Sequence, residues 1–239
     1  VTASDTDIQK LFRAVMTFSK GNMEKITRTP MCGLILEKRD EVTIPHYVEY
    51  GGSYTQHNIA SRFKYVGKQD LSPSLLEGDY PYEDDEELSN AIHGLCRTNE
   101  AQVMAAAIGW AAACHFREHI HQEFNQFPIL NLSGNAESGK SSLAFLLFLL
   151  NGMDYSTTDF INAEVTSIYP LIKYVSSSST VPRLIEEFNP ANIPPREYMK
   201  ILGILKGSWN RAAIPRGFVA GKEGRTTTDR VSAPIAETS

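Results

Sequence analysis

From residue 86 onward, apolar side chains recur at two spacings, one typical of amphipathic helices and one typical of short buried strands. Segments with helical spacing occupy 86–121, 141–150, about 163–174 and 198–209. Compact apolar runs lie between or after them, at 127–132, 181–186 and 231–236. Strands that alternate with helices predict a parallel sheet with crossover helices on its faces. The sequence therefore predicts an α/β fold for this part of the chain.

The first 80 residues follow a different pattern. Apolar positions at helical spacing predict a short amphipathic helix over 5–18. Two strands are predicted at 31–36 and 42–50, joined by a charged turn. This pattern indicates a small α+β region, to which its residues assign no activity.

An acidic stretch separates the two parts. Residues 79–87 read DYPYEDDEE and carry six carboxylates, one of the prolines and no apolar periodicity. Such a composition is typical of a linker or an exposed loop. We therefore expect a small N-terminal α+β region of unknown role over 1–80 and a second domain over 81–239.

Composition limits the class of protein. The chain has 239 residues, of which 42% are hydrophobic and 21% charged, and these values are typical of globular domains. Three scattered cysteines exclude a disulfide framework and favour a reducing, cytoplasmic location. No apolar run approaches the ~18 residues that would span a membrane. Because the chain begins at Val1 and stops just after an apolar run, we expect a fragment of a longer protein, truncated at its C-terminus.

The segment Gly134–Ser141 (GNAESGKS) carries the clearest chemistry, because it fits the phosphate-binding pattern G-x-x-x-x-G-K-[ST] at every specified position. Its two glycines allow a tight turn whose N–H groups face phosphate oxygens, and the helix that follows favours an anion at its N-terminus. Lys140 is expected to reach the β- and γ-phosphates, and the Ser141 hydroxyl to bind Mg²⁺. The predicted nucleotide-binding residues are Gly134, Asn135, Ala136, Glu137, Ser138, Gly139, Lys140, Ser141 and Ser142.

Acidic or polar residues end the next two predicted strands. The run 181–186 ends in Glu186 and Glu187, which resembles a Walker B element. Glu186 would hold Mg²⁺, and Glu187 would orient and deprotonate the attacking water. Such an element usually begins with Asp, and Glu186 is one methylene longer. At the end of the third strand, Glu237 or Thr238 is predicted to sense the γ-phosphate.

Three stretches in this order resemble one protein family. They are FPILNLSGNAESGKSS, RLIEEFNP, and Arg216-Gly217 followed by VSAPIAET. Together they resemble the helicase-type P-loop ATPase domain, of the AAA+/superfamily 3-like branch, of phage and plasmid primase–helicase proteins. The resemblance covers about 105–239. It implies a P-loop NTPase core, a homo-oligomeric ring that is usually hexameric, and hydrolysis of Mg-ATP that drives movement along single-stranded DNA in DNA replication.

The same resemblance implies a primase domain in the full-length chain and, for a phage protein, the host cell cytoplasm. A ring ATPase also needs an arginine from the neighbouring subunit, for which Arg216 and Arg230 are favoured over Arg211 and Arg225. Residues 196–230 carry eight basic and three acidic side chains. Within them, 217–229 is predicted to be a basic, mobile loop that contacts DNA, and the alternative is a surface loop without a partner. Its DNA-contact candidates are Phe218, Lys222 and Arg225.

Four functions remain open on these residues. The leading hypothesis is the ATP-hydrolysing motor domain of a replicative DNA helicase. A P-loop ATPase that remodels or loads proteins is an alternative, as is a nucleotide-binding regulatory module with little hydrolysis. A small-molecule kinase is disfavoured, because the pair Glu186 and Glu187 indicates activation of water rather than phosphorylation of a hydroxyl.

Overall fold

The computed structural model describes residues 26–39, 41–49, 53–55, 62–67, 85–153, 160–210, 213–220 and 223–239. From 213 to 230 the description is of the backbone alone. The helix predicted over 5–18 and the domain boundary predicted between residues 80 and 81 lie outside these ranges.

The N-terminal region consists of five short strands within its described residues. They are β1 (Thr27–Thr29), β2 (Gly33–Arg39), β3 (Val42–Val48), β4 (Ser53–Thr55) and β5 (Phe63–Tyr65). Strands β2, β3 and β4 form an antiparallel sheet in that order, and β1 pairs with β5 in parallel. Two strands around a charged turn are confirmed as the hairpin β2–β3. β1, β4 and β5 were not predicted, because three-residue strands carry too little periodicity.

Six helices and six further strands follow within the described part of the chain. The helices are α1 (Asp85–Cys96), α2 (Ala101–His115), α3 (Arg117–Phe124), α4 (Lys140–Leu150), α5 (Ile168–Val175) and α6 (Pro195–Trp209). The strands are β6 (Leu130–Leu132), β7 (Ile161–Asn162), β8 (Arg183–Glu186), β9 (Ala213–Ala220), β10 (Glu223–Arg230) and β11 (Ile235–Thr238). No helix among the described residues combines the length and the apolar character needed to cross a membrane.

The single helix predicted over 86–121 is wrong, because this segment forms α1, α2 and the first part of α3. The first break is the turn before Ala101, where the Asn99 side chain accepts a hydrogen bond from the Glu100 backbone N–H at 2.7 Å. A short polar side chain of this kind competes with helical hydrogen bonding. The second break is at Phe116, which separates α2 from α3.

Strands β6, β11, β8 and β7 form one parallel sheet in that order. Apolar residues of α2 and α4 pack on one face, where they meet Leu132, Leu184 and Ala236 of the sheet. Apolar residues of α5 and α6 pack on the other face, against Ile185 and Ile235. The prediction of an α/β fold with a parallel sheet flanked by helices is confirmed.

The segment between α6 and β11 is an antiparallel β-hairpin formed by β9 and β10, so the mobile loop predicted over 217–229 is wrong. All eight residues of β9 pair with all eight of β10, from Ala213 opposite Arg230 to Ala220 opposite Glu223. Proline and three glycines in this segment indicated a loop. The run of β-branched threonines at 226–228, which favours a strand, was the signal that the prediction missed.

The N-terminal strands join the second part of the chain through a buried run of polar residues, Ser177–Thr180, which connects α5 to β8. The backbone N–H of Cys32 donates to the Ser177 carbonyl at 2.9 Å, and the N–H of Ser179 donates to the Cys32 carbonyl at 2.9 Å. The Ser179 hydroxyl donates to the Leu34 carbonyl at 2.7 Å. The run that leads into β8 is therefore also the surface on which β2 docks.

Gly33 is the closest point of this contact. Its φ of +99° lies in the region that favours glycine, and a Cβ added there would lie 2.6 Å from the Thr180 Oγ1 and 2.9 Å from the Thr180 backbone nitrogen. The Leu34 N–H donates to the same Thr180 hydroxyl at 3.1 Å. A side chain at position 33 would therefore separate β2 from the segment that leads into β8.

Arg117 ties the same run to two other elements. Its guanidinium is fully buried, and it donates to the carbonyls of Ser179 at 3.4 Å and Ser208 at 3.0 Å. The Ser208 hydroxyl in turn donates to the Ala233 carbonyl, just before β11, at 2.7 Å. These hydrogen bonds hold α3, α6 and the approaches to β8 and β11 in fixed relation, since buried polar groups carry a large penalty when left unpaired.

We predict that Gly33→Ala lowers the free energy of unfolding by about 2–4 kcal/mol, because the variant combines backbone strain with overlap at Thr180. The measurement is urea unfolding followed by circular dichroism. Gly94→Ala is the control, since Gly94 is interior to α1 with open space around it, and that change should be neutral or stabilising by about 0.5–1 kcal/mol. Equal stability of the two variants would contradict the docking contact.

Candidate nucleotide-binding site

The loops that follow β6 and β8, together with the end of β11, surround one cleft of ≈ 560 Å³. The carboxyl ends of parallel strands meet at one edge of a sheet, which is where open α/β sheets bind ligands. The insertion of β11 between β6 and β8 brings these three strand ends side by side. The lining residues are Gly134, Ala136, Glu137, Ser138, Gly139, Lys140, Ser141, Ser142, Glu187, Asn189, Thr238 and Ser239.

The first side of the cleft is the loop between β6 and α4. Gly139 has a φ of +83° and Glu137 one of +60°, so the backbone turns back on itself twice before the helix. The Ser138 N–H donates to the Asn135 carbonyl at 3.3 Å and closes the turn. The glycine at 139 was expected for such a conformation, whereas Glu137 adopts a positive φ that costs a residue with a side chain of order 1–3 kcal/mol.

The N-terminus of α4 opens into this loop. The helix has no side-chain cap and no acidic residue in its first turn. Its first backbone N–H groups have no partner within the helix, and the helix dipole gives them positive potential. They therefore form a site for an anion such as phosphate.

Lys140 folds back over the loop. Its Nζ donates to the carbonyls of Gly134 and Asn135, each at 2.9 Å. These two carbonyls hold the ammonium group beside the N-terminus of α4. The ammonium group and the helix N-terminus both attract an anion, and they would attract the same one. A phosphate oxygen that entered the loop would replace these carbonyls as the hydrogen-bond acceptor of the ammonium group.

The second side of the cleft is the acidic end of β8. Glu186 is half-buried, and its Oε1 is buried with no hydrogen-bond partner among the described residues. Strand alternation places Glu186 on the face of Leu184, which is the face covered by α4. Glu187 has a φ of +55°, is exposed and lines the cleft. The two acids are thus separated, one directed towards the α4 side of the sheet and one into the cleft.

The conformation of Glu187 is held by the residue that follows it. The Phe188 N–H donates to the Thr238 carbonyl at 2.9 Å, and the Phe188 ring stacks on Tyr198 of α6 with centroids 5.4 Å apart. A positive φ at a residue with a side chain persists only where the surroundings fix it, and such residues cluster at functional sites.

The third side is the end of β11, where Glu237 and Thr238 have opposite positions. Thr238 lines the cleft, on the same face as Ala236. Glu237 lies on the other face, is buried, and accepts a hydrogen bond from the Asn131 Nδ2 of β6 at 2.9 Å. Burial raises the pKa of Glu237 to about 7, although the hydrogen bond from Asn131 opposes the change. This geometry favours Thr238 over Glu237 for contact with a phosphate.

Ser141 and Glu186 fit a Mg²⁺ ion in the nature of their donor atoms, since this ion prefers a few protein oxygens completed by phosphate and water. Ser141 lines the cleft beside Lys140. The unpaired, buried Oε1 of Glu186 is the kind of atom that a cation would satisfy. No group of three or more His, Cys, Asp or Glu side chains within the described ranges could hold a metal ion.

The basic residues of the hairpin are placed by its register. Arg225 of β10 pairs with Phe218 of β9, and Thr227 pairs with Arg216. Alternation therefore puts Arg216, Phe218 and Arg225 on one face of the hairpin and Arg230 on the other. Arg211 and Lys222 lie outside the described residues.

Sequence reasoning missed Asn131, Asn189 and Ser239. Asn189 and Ser239 line the cleft, and Asn131 holds Glu237. All three flank predicted strand ends, so their positions in the sequence could have suggested them.

Comparison with known proteins adds no family to this geometry. The chain matches no protein-family model, and a search of curated proteins gives no significant match.

We predict that Glu237→Gln removes part of the dependence of stability on pH. The folded chain keeps the proton of Glu237 up to about pH 7, whereas a carboxyl at its ordinary value of 4.5 has already released it. The contribution of the protonated Glu237 side chain to the free energy of unfolding is therefore fully present below about pH 4.5. It is lost as the pH rises to about 7. In thermal unfolding, the melting temperature of Glu237→Gln should be higher than that of the wild type at pH 8. At pH 4.5 the two melting temperatures should be about equal.

Glu123→Gln is the control, because it removes an exposed carboxylate from α3. It should leave the difference in melting temperature between the two pH values as in the wild type. Parallel profiles for Glu237→Gln and the wild type would show that this carboxyl ionises normally.

Proposed function

We propose that this chain is a P-loop ATPase that hydrolyses Mg-ATP, and that it is the motor domain of a replicative DNA helicase. The observation that carries the proposal is the single cleft in which the Gly134–Ser141 loop, Glu187 and Thr238 meet. The strand order β6-β11-β8 supports the proposal, because the polar end of β11 then lies between the Gly134–Ser141 loop and Glu187. The resemblance to phage and plasmid primase–helicase proteins supports the helicase role.

Each residue has a defined task in this proposal. The N–H groups of the loop and Lys140 bind the β- and γ-phosphates, and Ser141 and Glu186 hold Mg²⁺. The bound ion would neutralise charge on the phosphates. Glu187 accepts a proton from the attacking water and orients it, and Thr238 contacts the γ-phosphate. Arg216 or Arg230 of a neighbouring subunit in a ring would stabilise the transferring phosphoryl group.

The hairpin supplies the link to single-stranded DNA. Phe218 and Arg225 are register partners on one face of the hairpin, and an aromatic residue paired with a cationic one suits stacking on bases and contact with phosphates. Strand β10 continues through 231–234 directly into β11.

The alternatives share the ATP site and differ in the partner. A remodeller or loader would hydrolyse ATP in response to a protein, and a regulatory module would bind ATP with little turnover. Exposure of Glu187 in the cleft favours hydrolysis over the regulatory module, because binding alone requires no base.

We predict that Lys140→Ala weakens binding of ATP and that Glu187→Gln binds ATP but hydrolyses it at least about 100-fold more slowly. The measurements are equilibrium binding of a fluorescent ATP analogue and release of phosphate, with Mg²⁺, over a range of protein concentrations. Lys206→Ala, an exposed lysine of α6, is the control and should match the wild type. Normal turnover by Glu187→Gln would refute the assignment of the base.

We predict that single-stranded DNA increases turnover, and that Phe218→Ala weakens binding of a fluorescent oligonucleotide by about 5- to 150-fold, the usual value of one stacked base. Val219→Ala is the matched control, because register places Val219 on the opposite face. If ATP hydrolysis requires Glu187 but is unchanged by single-stranded DNA, the helicase role is refuted and an ATPase that acts on a protein partner is favoured.

A further inference from the structure

The turn after Glu187 presents Asn189 to the cleft, and no motif assigns this residue a task. Its side-chain Oδ1 accepts a hydrogen bond from the Ala191 backbone N–H at 3.0 Å. A carboxamide has one oxygen and one NH₂ group on opposite sides of its Cγ. Since the oxygen is turned towards Ala191, the NH₂ group is the part of the side chain that remains for a ligand.

The turn that carries Asn189 is fixed at several points. The Asn192 N–H donates to the Asn189 carbonyl at 3.1 Å, and the Asn192 side chain donates to the Glu164 carboxylate at 2.7 Å. Pro190 disfavours the helical region for the residue before it. Phe188 is buried beneath the turn. The NH₂ group of Asn189 is therefore held in place before any ligand binds.

The charges in the cleft indicate which ligand group the Asn189 NH₂ group would contact. The phosphate loop offers N–H groups and Lys140 on one side, whereas the other side offers the carboxylate of Glu187. A γ-phosphate close to that carboxylate needs a donor on the same side. A neutral NH₂ group donates to a phosphate oxygen without adding a charge beside Glu187.

We propose that the Asn189 NH₂ group donates to the γ-phosphate of bound ATP and distinguishes ATP from ADP. This inference rests on the proposed ATPase function and adds a ligand contact on the side of the cleft opposite the phosphate loop. Asn189 both binds the terminal phosphate and keeps it beside Glu187.

Asn189→Asp is the test variant, because an aspartate oxygen accepts the same hydrogen bond from Ala191 while a charged oxygen replaces the NH₂ group. The matched control is Asn99→Asp. The Asn99 Oδ1 also accepts a backbone hydrogen bond, from Glu100 at 2.7 Å, so the control makes the same change in charge and capping away from the cleft. Asn189→Ala removes both the turn contact and the donor.

Binding of fluorescent ATP and ADP analogues is measured at equilibrium with Mg²⁺, together with the melting temperature and phosphate release. Asn189→Asp should melt as the wild type does and lose ATP affinity by about 10-fold or more, with a smaller loss for ADP. Asn189→Ala should lose ATP affinity preferentially and also melt lower. Asn99→Asp should retain the affinity for both nucleotides.

Wild-type ATP affinity in Asn189→Asp, or equal losses for ATP and ADP, would overturn the role of Asn189 and leave the ATPase proposal intact. Failure of the wild-type chain to bind Mg-ATP would overturn both. The two failures are therefore distinguishable from the same set of measurements.

Discussion

Parallel pairing of β11 between β6 and β8 is the constraint on which the site depends. Backbone hydrogen bonds set Glu237 opposite both Asn131 and Ile185, so the register is fixed from two sides. This register places the phosphate loop, the end of β11 and Glu187 around one cleft. A slip of one residue would exchange the faces of Glu237 and Thr238, because side chains alternate along a strand. The geometry of the cleft thus follows from main-chain pairing more than from any single side chain.

Buried polar contacts at the segment that precedes β8 support this arrangement. The run Ser177–Thr180 precedes β8 and bonds to β2, and Arg117 joins it to α6. These groups are costly to leave unpaired, so together they fix where β8 enters the sheet. The N-terminal strands consequently contact the segment that leads into β8, although their own sequence assigns them no activity.

The cleft itself combines strained backbone with opposed charges. Glu137 and Glu187 both adopt positive φ, on opposite sides of the space where a phosphate would lie. Lys140 and the N-terminus of α4 attract an anion, whereas Glu187 repels it, so an anionic ligand would be held on one side and would face a carboxylate on the other. Such a division suits a reaction in which water attacks a bound phosphate.

The sequence by itself determined the α/β class, the hairpin β2–β3 and the glycine-rich turn between β6 and α4, because these depend on local periodicity and on glycines and a lysine at fixed spacing. It also placed acids and polar residues at strand ends. Only the tertiary structure decided that Thr238 rather than Glu237 lines the cleft, that 217–229 belongs to a hairpin, and that 86–121 is divided into helices. Strand order, register and buried partners decide these features, and they arise between segments distant in the chain. Asn189 shows the limit most clearly, since its orientation depends on the hydrogen bond to Ala191 and its role on loops from other strands.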